Sequence, residues 1–533
     1  MADQLAPDDT STSGTGSPRL AILLSMAMFV LVVDTSLMNV SISAVVHDLG
    51  TTVSSVQSAI ALEALVSAAF ILIGGKVGDL IGRKRAYVLG LLGYAVGALA
   101  MALAQNVTTI VIFWAVIGGL GASLLLPAMQ SLIHGNFSGA MQKRAYAVVG
   151  ASAAIAAAVG PLIGGFITTY LSWRVAFALE DVVILVVLLG IGLVQDVPFT
   201  GPRHIDGVGA VLSVIAMGGI VLGILVWQEG GDAVAELIVL GGLAMGGFIY
   251  WLISRKRAGK PVLIDAGLFL AKLFRYGVSA QMLQQIALGG LMITLPIYLQ
   301  MVFEYNALEA GLSMAPLSLT MFGVALLAGK RAGNRRPAVI IRAGFALLSL
   351  GALALIPLVP RVTSGWYLVL PLMVAGSGFG LLVSQLNNYT LAPISDERVS
   401  EAAGVNSAGG SFGLSFGLAF AGASLLAVLS FSFTNLANQS TVLSPSQQQH
   451  VSTVLEHDAE VMTNTQLSVQ LSGQPEAVKA EVIRINTDAR HRALQVALIV
   501  PVLAGLLGLG ASFRMVRLPD PESSGSEEGS LLG

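Results

Sequence analysis

The chain has 533 residues, 55% of them hydrophobic and only 11% charged, with a formal net charge of −2 from 28 basic and 30 acidic side chains. A soluble domain carries about 25% charged residues, so a water-solvated globule of this length is excluded, because it would lack the polar groups to cover its surface. The near-balance of charge leaves no basic field for nucleic acid, and the absence of cysteine excludes disulfides, thiolate metal sites and cysteine nucleophiles.

Crossing a hydrocarbon core of about 30 Å takes about 20 apolar residues at 1.5 Å each. Fourteen such runs are read in the chain: 19–43, 56–76, 86–105, 108–133, 145–171, 174–194, 207–228 and 233–254, then 274–303, 309–329, 338–358, 366–393, 402–431 and 492–514. Residues 1–18 are polar and are predicted to form a disordered cytoplasmic tail. The first run is too long for a cleaved signal and carries an acid, Asp34, so it should remain as a span. An even number of spans puts both termini on one side. Only Arg174, Arg361, Lys479, Arg484, Arg490 and Arg492 fall on the opposite side, and the other 22 of the 28 basic residues lie with the termini. By the positive-inside rule the termini are expected in the cytoplasm.

Residues 432–491 are the one large segment between spans, and they fall outside. Val451, Val454, Leu455, Val461 and Met462 make a helical stripe, which Gly473 and Pro475 break. Val478, Val482 and Ile485 then mark a second helix that runs into the last span. An external helical hairpin is expected here, either as a lid, as a docking surface for a periplasmic or cell-envelope partner, or as a cap without transport chemistry. His450 and His457 on this segment read as a solvated face, not as a metal site. The tail 519–533 is rich in Ser, Gly and Glu and is expected to be disordered and cytoplasmic.

The turn after the second run holds Gly75, Gly78, Asp79, Gly82, Arg83, Lys84 and Arg85. Glycines let helix ends approach, and an acid beside cations offers a charged latch. This pattern resembles the loop signature of the major facilitator superfamily, in which the matching acid and bases stabilise one gate state. The fifth run carries Gly160, Pro161, Gly164 and Gly165, followed by Trp173 and Arg174 at the outer turn. It resembles the antiporter motif of exporters in that superfamily: proline removes a backbone donor and the glycines admit a neighbouring helix. Asp34, Thr35 and Asn39 in the first run resemble the signature of drug:proton antiporters with fourteen spans, and Pro296, Tyr298, Gln300, Ala310, Gly311 and Pro316 resemble the second half of these exporters.

The resemblance implies an all-α membrane protein of the major facilitator fold, with two six-helix bundles (19–194 and 274–514), two inserted helices at 207–254 and the hairpin 432–491 between the last two spans. It also implies an inner (plasma) membrane location in a bacterium and a monomer. The sequence departs from the family at three places. Ala115 stands where an arginine is expected, Glu63 where an aromatic residue is usual, and Glu180 with Asp181 where asparagine is typical.

A carboxylate inside hydrocarbon normally lines a cavity, pairs, or takes a proton. Asp34, Glu63 and Glu180 all fall about 20 Å from the terminal ends of their spans at about 1.5 Å per residue. Asp34 and Glu63 are expected to share a proton and carry it. Glu180, with Asp181, is a third candidate, although Arg174 is close enough in sequence to neutralise one acid of that pair. Candidate cavity residues are Gln130, Gln281, Gln284, Gln285, Gln385, Asn387 and Asn388, each equally able to act as interhelical glue. No phosphate-binding loop of the Walker type and no nucleophile constellation is present. The expectation is therefore a non-enzyme without cofactor or metal. It would use the proton gradient to export hydrophobic or cationic small molecules, or else a lipid or siderophore handed to the hairpin. A different class, a membrane sensor or assembly factor that has lost transport, draws support from Ala115.

Overall fold

A computed structural model describes residues 17–137, 139–196, 206–331, 336–394, 396–449 and 463–519. The first half contains α1 (Pro18–Leu49), α2 (Val53–Ile81), α3 (Arg83–Leu103), α4 (Val107–Asn136), α5 (Gly139–Tyr170) and α6 (Trp173–Leu189). Two helices follow, α7 (Gly207–Gln228) and α8 (Val234–Arg257). The second half has α9 (Lys272–Met301), α10 (Ala307–Arg331), α11 (Pro337–Leu358), α12 (Val369–Leu391) and α13 (Asp396–Asn438). It closes with the short α14 (Asn464–Gln470), α15 (Glu476–Ala497) and α16 (Ile499–Val516). Among the described residues there is no strand.

Thirteen helices are long and apolar enough to cross a membrane by length and composition, with α15 and α16 counted as one. The 17-residue α6, continued by a 3₁₀ turn at Ile191–Leu193, completes the alternation. Both described ends of the chain therefore lie on one face, here the terminal face, where Arg336 Nη2 donates to the Leu518 carbonyl at 2.8 Å. The opposite face is the far face.

Local chemistry sets the helix ends. Ser17 caps α1 by accepting from the Leu20 N–H at 3.3 Å, Pro18 occupies the first turn, and Gly50 ends the helix at φ 59°. Asp206 caps α7 through the Gly209 N–H at 3.1 Å and also accepts from Trp251 Nε1 at 3.0 Å, which ties α7 to α8.

Small residues set the packing. On α3 and α4 the backbones meet so closely that a Cβ on Gly121 would lie 2.7 Å from the Gly90 carbonyl oxygen and from the Tyr94 nitrogen. In the first half α1 packs on α5 and α6, and α4 on α2 and α3. In the second, α9 packs on α13 and α16, and α12 on α10 and α11. The halves meet along α2 with α13 and along α5 with α10, and α7 lies against both α2 and α13. Toward the far face, Met38 and Ile42 of α1 and Val56 of α2 share one apolar cluster with Ile293, Ile297 and Leu418 of the second half.

Several expected boundaries move. Helix α1 runs to Leu49 instead of 43, because no breaker intervenes before Gly50, and α13 extends well past both ends of its apolar run. The second hairpin helix is α15, with Val482 and Ile485 buried, and it passes into α16 through Leu498, whose backbone stays right-handed helical. Of the first hairpin helix, Val451, Val454, Leu455, Val461 and Met462 lie outside the described residues, as do His450 and His457.

Helices α14 and α15 are tied to the second half. Glu304, at φ 55° in the α9–α10 turn, accepts from the Thr465 N–H at 2.8 Å and its hydroxyl at 2.5 Å. Asn486 donates to Asn464 at 2.8 Å, while Arg490 donates to Asn486 and to the Met301 carbonyl, both at 3.1 Å. Partial burial pushes the Glu304 carboxyl up, but the hydrogen bonds from Thr465 and Thr463 and the Arg490 charge outweigh it and hold it below the ordinary glutamate range. A group held low stabilises its contact fully above its unfolded value of about 4.3, and that contribution is lost as pH falls through the lowered value. The protection of the Asn464–Gln470 amides, measured against the intrinsic exchange rate at each pH, should therefore be high at neutral pH and fall below about pH 4. In Glu304→Gln that protection should be low at both. Protection that ignores both acid and the substitution would show that this contact does not hold α14 in place.

A buried acid cluster as candidate functional site

Helix α1 carries Asp34 at mid-length, 1% exposed. An ionised carboxylate at that depth needs hydrogen-bond donors aimed at it. Two aromatic side chains supply them. Tyr94 of α3 donates its hydroxyl to Oδ2, and Trp114 of α4 points its indole N–H at both oxygens, at 3.2 and 3.0 Å. The close α3–α4 seam made by Gly90, Gly97 and Gly121 brings Tyr94 and Trp114 to the same place.

Two further acids join this one. Glu63 of α2, 8% exposed, and Glu180 of α6, 4% exposed, lie within electrostatic reach of Asp34, and Asp181 lies beside Glu180. Neither Glu180 nor Asp181 has a hydrogen-bond partner for either carboxylate oxygen. Among the described residues no lysine, arginine or histidine forms an ion pair with Asp34, Glu63, Glu180 or Asp181. Carboxyls assembled without a fixed cation are suited to exchanging protons or meeting a mobile cation.

The geometry corrects two parts of the sequence reading. Arg174 does not neutralise the Glu180–Asp181 pair. It sits at the N-terminal turn of α6, pairs with Asp48 at the end of α1 and donates to the Ala104 carbonyl at 2.6 Å. Six residues along a helix is about 9 Å, so the Arg174 guanidinium stays at the far face while Glu180 lies deeper. Likewise, the direct partners of Asp34 are Tyr94 and Trp114, not Glu63. Both donors come from helices 60 and 80 residues away in sequence. In a run as apolar as that of α4 a tryptophan reads as packing, and the one available signal was its position next to the anomalous Ala115.

The antiporter-like motif lies where the halves meet. A Cβ on Gly160 would be 2.5 Å from Ser36 Cβ, and one on Gly164 would be 2.6 Å from Leu37 Cδ2, so both glycines face α1. Gly165 faces α10, where a Cβ would come 2.5 Å from the Ala307 carbonyl oxygen. Thr169 accepts from the Leu308 N–H at 3.1 Å, and Gln300 Nε2 reaches the Val40 carbonyl at 3.3 Å. The last three contacts, at Gly165, Thr169 and Gln300, join the two halves toward the far face.

On the terminal face, Asp79 pairs with Arg83 at 2.5 Å, and Lys84 donates its backbone N–H to Asp196 at 3.0 Å and its ammonium to the Val194 carbonyl at 2.7 Å. Gly75 lies over Pro127 of α4, Gly78 over Ala86 of α3, and Gly82 adopts φ 99° beside Asp196. The loop thus binds α2 and α3 to the end of α6.

The cavity candidates separate by position. Gln284 and Gln385 are buried, with Gln284 Oε1 lacking a partner, while Gln281 and Gln285 flank Gly410 of α13. Asn387 and Asn388 are exposed, and Asn387 accepts from Asn406 at 3.1 Å. Gln130 is half-buried, and its carbonyl accepts from Tyr146 at 3.1 Å. Among the described residues no cluster of His, Asp and Glu suited to a metal ion occurs.

Comparison with known proteins gives one picture. The puromycin resistance protein pur8 of Streptomyces alboniger is 30% identical over 74% of this chain and 79% of its own length. The multidrug transporter protein MdtP of Bacillus subtilis is 27% identical over 88% of this chain and 86% of its own. The probable actinorhodin transporter of Streptomyces coelicolor is 27% identical over 73% and 69%. Among solved structures, an inward-facing, unoccupied bacterial homologue of the human lysosomal transporter Spinster superposes with a TM-score of 0.61 at 13% identity, over 93% of this chain and 97% of that one. At that identity the likeness shows the fold alone. The profile of the Major Facilitator Superfamily matches residues 24–418, and with the paired helical bundles this establishes that the chain belongs to the major facilitator superfamily.

Proposed function

We propose that the chain is a secondary exporter of hydrophobic or cationic small molecules, driven by proton exchange and working by alternating access in a bacterial plasma membrane. The observation that carries this reading is the ring of acids at Asp34, Glu63 and Glu180, enclosed in one half of a two-half bundle without an ion-pair partner among the described residues. The relatives' names, which speak of puromycin resistance, multidrug transport and an actinorhodin transporter, support export of such cargo.

In this reading residues 19–194 and 274–514 rock about a midplane cavity. The pair 207–254 rides on their α2–α13 seam, residues 432–491 cap the outer side, and both termini are cytoplasmic. Protonation of Asp34 and Glu63 from outside removes negative charge, weakens the hold on a cationic cargo and releases it outward. Return to the inward state discharges the proton, so the gradient sets the direction. Asp79, Arg83 and Lys84 act as the latch of the terminal face. Gly160, Pro161, Gly164 and Gly165 form the pliant far-face seal, and Gln281, Gln284, Gln285 and Gln385 line the cargo path from the second half.

Ethidium accumulation in cells with and without the protein tests this reading. Expression should lower accumulation several-fold, and collapsing the proton gradient should erase the difference. Accumulation that is indifferent to expression would favour the transport-inactive sensor. A difference that survives collapse of the gradient would rule out proton coupling.

A further inference from the structure

Helix α4 is not a regular α-helix where it meets Asp34. Residues Ile110–Gly118 form a π-helical stretch of nine residues, with the i→i+5 bonding that inserts extra chain into each turn. Such stretches are uncommon and change the direction in which later side chains point. Trp114 lies in the middle of this one, 2% exposed, with its indole N–H directed at both Asp34 oxygens. Its ring is fixed from the other side: it packs edge-to-face on Phe177 at 6.4 Å, and Phe177 packs edge-to-face on Trp173 at 6.2 Å. Trp173 is anchored in turn by its N–H to Asp48 at 3.1 Å and by Arg174 over its ring at 4.5 Å. A glycine at 97 lets the Trp114 backbone come this close to α3: a Cβ there would lie 3.3 Å from Trp114 Cα.

We propose that Trp114 is the positioning residue of the Asp34 proton site. The π-helical turn aims its N–H, and the Phe177–Trp173 ladder holds the ring so that the bond to Asp34 is made to the ionised carboxylate and weakened when a proton arrives. This rests on the reading of Asp34 as a proton carrier. The indole is a donor that cannot itself take up or release a proton in the working range, so it tunes the site without competing for its cargo. The other titratable groups facing Asp34 are Tyr94 from α3, Glu63 from α2 and Glu180 from α6, with Asp181 beside Glu180. Helix α5 has no titratable side chain between Tyr146 and Tyr170. Those nearest on α9 and α10, Tyr298 and Glu309, lie toward the far face.

The test is the pH profile of proton-driven ethidium transport in proteoliposomes of the full chain. Trp114→Phe keeps the edge-to-face contact and removes the N–H. Loss of a donor to the charged form favours protonation, so the profile's midpoint should move toward alkaline pH by about one unit, a shift that a merely structural role would not produce. An unmoved midpoint overturns the positioning role, while Asp34→Asn run alongside decides separately whether Asp34 carries the proton at all. A second measurement does not need the Trp114 variant. Tryptophan fluorescence of the detergent-solubilised wild type should show a pH-dependent component that is missing in Asp34→Asn. Identical traces for the two proteins would overturn the proposal.

Discussion

Replacing Asp34 by Asn is expected to abolish proton-driven accumulation of cargo in proteoliposomes, lowering it by about 100-fold or more, to the level set by the cargo gradient alone. The side chain keeps its size, so packing in α1 is preserved. It also loses a charge whose insertion at the centre of a membrane helix costs about 2.5–3.5 kcal/mol, so the variant should fold and insert at least as well as the parent. What it cannot do is alternate between charged and neutral. The Tyr94 hydroxyl and the Trp114 N–H both donate to this group, and an amide offers them one acceptor oxygen in place of two. The site is therefore held in a state close to the protonated one. Downhill exchange of ethidium should persist while uphill transport driven by an imposed pH step disappears. Glu63→Gln should reduce the uphill rate less, because Glu63 faces Asp34 through space without a shared hydrogen bond. An Asp34→Asn protein that still concentrates ethidium in response to a pH step would remove this carboxyl from the coupling mechanism and leave Glu180 to be tested in its place.

The architecture was legible because a bilayer imposes a length on every span. Runs of about 20 apolar residues must be counted the same way whatever their tertiary partners. The glycine motifs were legible for a related reason: a glycine whose missing Cβ admits a neighbour, such as Gly165 against Ala307, has no other use in an apolar helix. The acids Asp34, Glu63 and Glu180 stood out because charge is rare in such runs. Their partners did not. Tyr94 and Trp114 come to Asp34 only through the crossing of α1, α3 and α4, and nothing in the composition of residues 110–118 announces a π-helical turn. Arg174 was misplaced for the opposite reason: sequence proximity suggested Glu180, whereas the helix geometry sends the guanidinium to Asp48 at the far face.

The far-face seal offers the second large effect. Gly165 of α5 meets α10 backbone to backbone, and Gly311 of α10 meets the Pro161 carbonyl in return. A leucine at 165 cannot fit: its Cβ alone would lie 2.8 Å from Leu308 Cα, and the atom it meets is main chain, which cannot swing aside. Overpacking of this kind costs about 1–3 kcal/mol. Here the strain falls only on the state in which α5 and α10 touch. The helices stay inserted, and the penalty appears as a shift between conformations of about 5- to 150-fold against the far-face-closed one. The absence of cysteine in the chain makes this measurable. A single cysteine at Ile293, fully buried in the cluster beneath the seal, should react slowly with a membrane-impermeant maleimide added at the far face. With Gly165→Leu present the reaction should accelerate by about fivefold or more, and proton-driven transport should fall by a similar factor because the closing stroke is blocked. Gly150→Leu, on the same helix but with no atom within 4 Å of its Cβ position, should change neither. If labelling of the Gly165→Leu protein stays at the parent rate while Gly150→Leu behaves as expected, the α5–α10 contact is ordinary packing and the seal must be sought along α1 and α9, where Gln300 reaches Val40.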